Sequence, residues 1–218
     1  MIIKTIFILL LIASVLSGLL PIGYGTKYYK AFNTQLKALF IYLIFSVLTE
    51  LVIAILTGIQ YSGYNSTIQF IFTIFEFLTI AYIFWNELNK PILRIMITSF
   101  IALYFISLFA SYWLTQKLST VIDIADISEA GIIIILSVIF FFKVLTDLEI
   151  PKLTDYPFFW LNSAFLMYFG TTFFLYLFNN AAKEFDQPIV YFLAVIHHIM
   201  NITYNILITI ALCKVRKT

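Results

Sequence analysis

Seven strongly apolar stretches, each long enough to cross a bilayer, take up most of this 218-residue chain. An α-helix rises about 1.5 Å per residue, so spanning ~30 Å of hydrocarbon takes about 20 apolar residues. By that measure spans are predicted near 3–23, 38–57, 67–86, 92–114, 127–145, 157–178 and 188–213. Hydrophobic residues make up 62% of the chain and charged residues 11%, less than half the usual soluble-protein share of about 25%. A soluble domain of this size has no core large enough to hide so much apolar surface. Closed β-barrels also cross membranes, but their strands show weak alternation rather than long solid apolar runs. The expected fold class is all-α: a polytopic membrane protein, a seven-transmembrane-helix bundle forming one membrane domain over residues 1–218.

The distribution of charge carries more than its sum of +2. Lys27, Lys30 and Lys37 follow span one, Lys90 and Arg94 follow span three, and Lys143 and Lys152 flank the end of span five. Lys214, Arg216 and Lys217 follow span seven. These alternate segments hold ten of the thirteen basic residues, while the other side has only Lys4, Lys117 and Lys183. Excess Lys and Arg marks cytoplasmic loops, so the N-terminus is expected outside and the C-terminus in the cytoplasm. The expected location is a cell membrane, specifically a bacterial inner membrane, with multiple passes. Dispersed basic residues at helix ends exclude nucleic acid as a partner. Lys4 ahead of an apolar run resembles a signal peptide, but the run is long, lacks a small-residue cleavage site and leads into a basic cluster. It is therefore expected to remain as a helix. Cys213 stands alone, which excludes a disulfide framework and a thiolate metal cluster.

Loops of roughly 6–14 residues leave no room for a soluble module. No internal repeat links the first three spans to the last three, which weakens a transporter built from echoing halves. Pro21, Pro91, Pro151, Pro157 and Pro188 fall at or near predicted span ends, where proline is tolerated. Broken-helix ion sites are accordingly not expected. Trp85, Trp113, Trp160, Tyr24, Tyr28, Tyr112, Tyr156 and Tyr176 read as an interfacial aromatic belt. Small residues in span four (Ser107, Ala110, Ser111) and span six (Ser163, Ala164, Gly170, Thr171) are expected to let helices approach closely.

Against this apolar background a few polar residues stand out. Glu50 in span two lies about 20 Å from the cytoplasmic edge, and Glu76 in span three about 14 Å below the outer one. Consecutive spans on a short loop are usually neighbours, so the two carboxylates are expected to face each other. Tyr42, Ser46 and Glu50 form one polar stripe, and Gln69, Thr73 and Glu76 another. On span seven His197, Asn201 and Asn205 recur at four-residue spacing on one face, with His197 at ~14 Å depth. His198 points about 100° away, close to Thr203 and Tyr204. Glu129 at the outer start of span five is a third carboxylate within reach, and Asn162 in span six lies on a separate level. Asp123, Asp126, Glu184 and Asp186 read as solvated outer-loop charges. An unpaired carboxylate at such depth costs at least ~2.5–3.5 kcal/mol, so a proton, a cation, water or an interhelical hydrogen bond must offset it.

At these residues a likeness appears. Leu48-Thr49-Glu50, Ile74-Phe75-Glu76-Phe77, Ser128-Glu129-Ala130, the run Phe159 to Ser163 and the run Ile196 to Leu207 together resemble an uncharacterised group of seven-helix integral membrane proteins of Bacteroidota. The likeness covers the whole chain through short motifs. It implies that Glu50, Glu76, Glu129, Asn162, His197, Asn201 and Asn205 are the group's recurring polar positions. His198 stands where that group takes a small residue, which ranks it below His197. The resemblance implies no reaction.

Four readings follow. The first is a receptor or sensor component that takes a small ligand or proton at the intramembrane polar residues. Its short C-terminal tail then requires a separate membrane or cytoplasmic signalling partner. The second is proton- or cation-coupled transport, since buried acids with a histidine suit a proton relay. The third is an intramembrane metal-dependent lipid hydrolase, with Glu50, Glu76 and His197 as metal candidates. The alkaline ceramidase superfamily shares the seven-helix plan but places its last-helix histidines one turn apart. Here His197 and His198 are adjacent and no other histidine exists, so a three-histidine site is excluded. The fourth is structural: polar side chains acting as interhelical glue. No retinal is expected, because span seven lacks a Schiff-base lysine. Lys143 reads as an interfacial anchor paired with Asp147 at i+4.

Overall fold

The computed structural model describes residues 2–147, 152–182 and 187–215, and their regular structure is helical throughout. The helices are α1 (Ile2–Ser17), α2 (Leu19–Tyr28), α3 (Thr34–Gly58), α4 (Asn65–Glu87), α5 (Pro91–Thr115), α6 (Leu118–Asp147), α7 (Pro157–Ala182) and α8 (Gln187–Val215). Seven segments are long and apolar enough to cross a membrane: Thr5–Ala31, Thr34–Gly58, Asn65–Glu87, Pro91–Thr115, Leu118–Thr146, Pro157–Leu177 and Ile189–Val215. This is the pattern of a multi-pass membrane protein, and six of the seven spans match their predicted bounds to within a few residues at their N-terminal ends.

The helix ends have local causes. The Asn33 carboxamide oxygen accepts the Leu36 N–H at 2.9 Å and so caps α3. Pro91 opens α5 at its first turn, where its missing N–H leaves no bond unmade. Gln116 closes α5 in the left-handed region at φ 53°, its N–H bonded to the Tyr112 carbonyl at 2.8 Å. That tight reversal joins α5 to α6 through two residues, so α6 starts at Leu118 rather than near 127.

This corrects a reading of the sequence. Asp123 and Asp126 lie on a helix and within a span rather than in an outer loop. A second correction concerns span one, which runs to Ala31 and keeps right-handed helical backbone angles through the turn at Gly18. Pro21 falls inside it, where its ring nitrogen cannot return a hydrogen bond to Ser17. The first two turns of α2 are where such a loss is cheapest. The side chains of Asp147, Glu184 and Asp186 lie outside the described residues.

Packing divides the chain into two compact units, residues 1–32 with 137–218 and residues 33–136. In the second unit α3 packs on α4 and α4 on α5. Its core gathers Phe77 from α4, Tyr104 and Leu108 from α5, and Val121 and Ala125 from α6. The Phe77 and Tyr104 rings stack with centroids 4.1 Å apart. In the first unit α8 packs against α7, α1 and α2. There Ala164 is fully buried, but a Cβ on Gly170 would meet nothing within 4 Å. The expectation that Gly170 permits close helix approach is therefore not met.

Trp113 and Tyr112 are exposed, the Trp160 indole N–H donates to the Thr154 carbonyl at 2.9 Å, and the Arg94 guanidinium lies 5.6 Å from the Trp85 ring. These are anchoring contacts of the kind made at a headgroup level.

Candidate functional site

The polar residues fall into two clusters, one in each unit. In the unit of residues 33–136, Glu76 on α4 and Glu129 on α6 are 8% and 3% exposed. The Tyr42 hydroxyl on α3 donates to Glu76 Oε1 at 2.5 Å. Glu76 also lies within electrostatic reach of Glu50 and Asp126, and Glu129 within reach of Glu76 and Asp126. Asp126 Oδ1 is 3.2 Å from the Thr73 hydroxyl, which also lies 3.1 Å from the Gln69 carbonyl. A hydroxyl has one proton, so Thr73 serves one acceptor at a time. Electrostatic influence links Glu50 to Glu76 and Glu76 to Glu129, the three acids singled out in the sequence, within this unit. Asp126 joins them because α6 starts early.

Two atoms of this cluster are left over. Glu129 Oε1 and the Tyr104 hydroxyl are buried with no hydrogen-bond partner among the described residues. Tyr104 is 1% exposed and lies in the field of Glu129, Asp126 and Glu76, with Glu129 the strongest contributor. None of Glu50, Glu76, Asp126 and Glu129 forms an ion pair with a basic side chain among the described residues. Among the described residues the cluster thus holds four acids and three hydroxyls with no basic side chain paired to them.

The second cluster, in the unit of residues 1–32 and 137–218, has the opposite character. Asn201 donates to Ser14 Oγ at 2.8 Å and Asn205 to Ser17 Oγ at 2.9 Å, while Ser17 Oγ donates to the Ser14 carbonyl at 2.6 Å. This ladder ties α8 to α1 and spends the amide donors on neutral partners, which is interhelical glue. His197 sits one turn further along, its ring 5.9 Å from Tyr168 and 5.7 Å from His198. His198 meets Phe7 at 5.5 Å. Tyr204 is buried against Tyr168 at 4.9 Å. The Asn162 amide donates to the Ser137 carbonyl at 3.1 Å, leaving Asn162 Oδ1 and the Ser137 hydroxyl unsatisfied.

Among the described residues, no three side chains of His, Cys, Asp or Glu come together as a metal-ligand set. The residues that reading the sequence missed are Asp126, Tyr104, Ser14 and Ser17. Asp123, Asp126 and Glu129 recur every three residues, a spacing that a helix begun one or two turns earlier would have made legible. Tyr104, unlike the belt tyrosines, stands thirteen positions inside its span. No family model, curated protein or solved structure matches the chain, so its chemistry is read from these side chains alone.

Proposed function

We propose that this multi-pass membrane protein is a receptor or sensor component, and that its ligand site is the acidic cluster around Glu76 and Glu129, with the proton as the ligand. The observation that carries this reading is the gathering of Glu50, Glu76, Asp126 and Glu129 with no basic partner among the described residues. Carboxylates crowded at membrane depth cannot all ionise, so the cluster holds protons and exchanges them when the outside pH changes. Protonation alters the charge shared by α3, α4 and α6, which repacks helices that a separate partner can read. Tyr42, Thr73, Tyr104 and Asp123 are the other titratable or hydroxylic groups facing the cluster. The concentration of Lys and Arg in alternate connecting segments supports an outward N-terminus and an inward C-terminus.

The test is a proton count. Full-length protein in lipid nanodiscs, jumped between pH 8 and pH 5, should take up protons beyond those bound by its exposed groups. Glu76→Gln should remove part of that uptake while the helical content and melting temperature stay close to wild type. Equal uptake in wild type and in Glu76→Gln and Glu129→Gln would overturn the proposal and leave the cluster as glue.

A further inference from the structure

Glu76 and Glu129 are both buried carboxyls, and they differ by one donor. The Tyr42 hydroxyl on α3 donates to Glu76 Oε1 at 2.5 Å, while Glu129 Oε1 has no hydrogen-bond partner among the described residues. Tyr42 is 2% exposed, and its ring stacks on Phe72 of α4 with centroids 5.9 Å apart. Phe72 also lies 6.2 Å from the Phe45 ring on α3. Phe72 and Glu76 are four residues apart, on one face of their helix, so a single side chain of α3 meets both. A tyrosine hydroxyl lies in the plane of its ring. The stack on Phe72 therefore aims that hydroxyl at the carboxyl one turn further along α4.

Phenols titrate near pH 10 and carboxyls near pH 4, so between such a pair the hydroxyl is the donor and the carboxyl oxygen the acceptor. A carboxyl that binds a proton keeps one carbonyl oxygen, which is the better acceptor of its two. With Oε1 receiving from Tyr42, the proton belongs on Oε2. A hydrogen bond to an ionised oxygen is roughly twice as strong as one to a neutral oxygen. The tie between α3 and α4 thus tightens when Glu76 gives up its proton and slackens when it takes one. Glu50 on α3, Tyr104 on α5, and Asp126 and Glu129 on α6 also face Glu76. They act on it through charge, whereas Tyr42 acts by contact.

We infer that Tyr42 is the positioning residue of this site: its hydroxyl holds Glu76 Oε1 and leaves Oε2 as the oxygen that takes up and returns the proton. The inference rests on the reading of the acidic cluster as a proton site and deepens it, by assigning the proton to one atom and its readout to the α3–α4 contact.

The experiment is infrared difference spectroscopy of the full chain in nanodiscs, comparing wild type with Tyr42→Phe and using Glu76→Gln to mark the Glu76 component. In Tyr42→Phe the protonated Glu76 C=O band should move to higher frequency, because its carbonyl oxygen has lost a donor. The pH midpoint of that band should rise by about one unit, a tenfold gain in proton affinity. Were the proton on Oε1, the carbonyl at Oε2 would keep its frequency in the variant. An unmoved band in a folded Tyr42→Phe protein therefore overturns the inference. Wild-type protein with ring-carbon-13 tyrosine covers the case in which the variant does not fold. A tyrosine band should then change in step with the Glu76 band and vanish in Glu76→Gln; its absence from the labelled wild type overturns the inference as well. A Glu76 band indifferent to Tyr42 leaves the proton reading standing, whereas no protonated-carboxyl band in wild type removes both.

Discussion

At the scale of the residue, the contact between Tyr42 and Glu76 distinguishes a carboxylate held for its charge from one held only for its hydrogen bond. Tyr42→Phe removes the only side-chain donor to Glu76 Oε1 among the described contacts. It is expected to cost about 1–3 kcal/mol of stability, measured by denaturant titration of helicity. Glu76→Gln keeps an acceptor for Tyr42 and relieves repulsion from Glu50 and Asp126, so its stability should equal or exceed wild type. A large loss in Glu76→Gln would mean that Glu76 is needed ionised for folding. Glu50, Glu76 and Glu129 were legible as special because a charge in an apolar run has no cheap neighbour there. Asp126 and Tyr104 were not. The first looked like a loop residue one position ahead of a span, and the second like one more aromatic among fourteen tyrosines. Nor does a sequence announce that Asn201 and Asn205 would satisfy themselves on Ser14 and Ser17. That depends on which helix packs beside α8.

At the scale of the element, apolar length defined six spans with little ambiguity, because in hydrocarbon every backbone group must be bonded within its own helix. Span five was misjudged at its start. Asp123 and Asp126 lower the local hydropathy, yet α6 runs through them, with Asp126 Oδ1 3.2 Å from the Thr73 hydroxyl. Helix association in lipid draws on packing and polar contacts rather than on hydrophobic burial, so small residues invite the assumption of close approach. Gly170 does not bear that out, since nothing lies within 4 Å of where its Cβ would be. Gly170→Ala is therefore expected to stabilise α7 by roughly 0.5–1 kcal/mol, the ordinary helix preference for alanine, with no steric cost. A destabilisation in the same denaturant titration would show that another chain or a lipid fills that space.

At the scale of the whole molecule, two kinds of charge coexist. Asp155, in the exposed turn before α7, accepts from Lys214 Nζ at 2.9 Å and lies 3.4 Å from Lys152 Nζ. The Lys214 ammonium, followed by Lys152, holds its carboxyl below the ordinary value of 3.8. A depressed folded value means that its contribution is present above 3.8 and is lost as pH falls through the folded value. The effect is small because the pair is solvent-screened. Melting temperature in Asp155→Asn should thus differ from wild type at neutral pH and converge with it in strong acid, whereas a gap that widens in acid would contradict the assignment. The acids of α3, α4 and α6 form no ion pair with a base among the described residues, and on the proposed reading they are relieved by protons.

That contrast is tested most directly by infrared difference spectroscopy of the full-length protein in lipid, recorded between pH 8 and pH 5. Glu76 and Glu129 are expected to give a protonated-carboxyl C=O band at the high frequency of a dry environment. The band should grow as pH falls and lose distinct components in Glu76→Gln and Glu129→Gln. A spectrum with no such band, or one unchanged by either substitution, would contradict a proton-binding site at the heart of this protein.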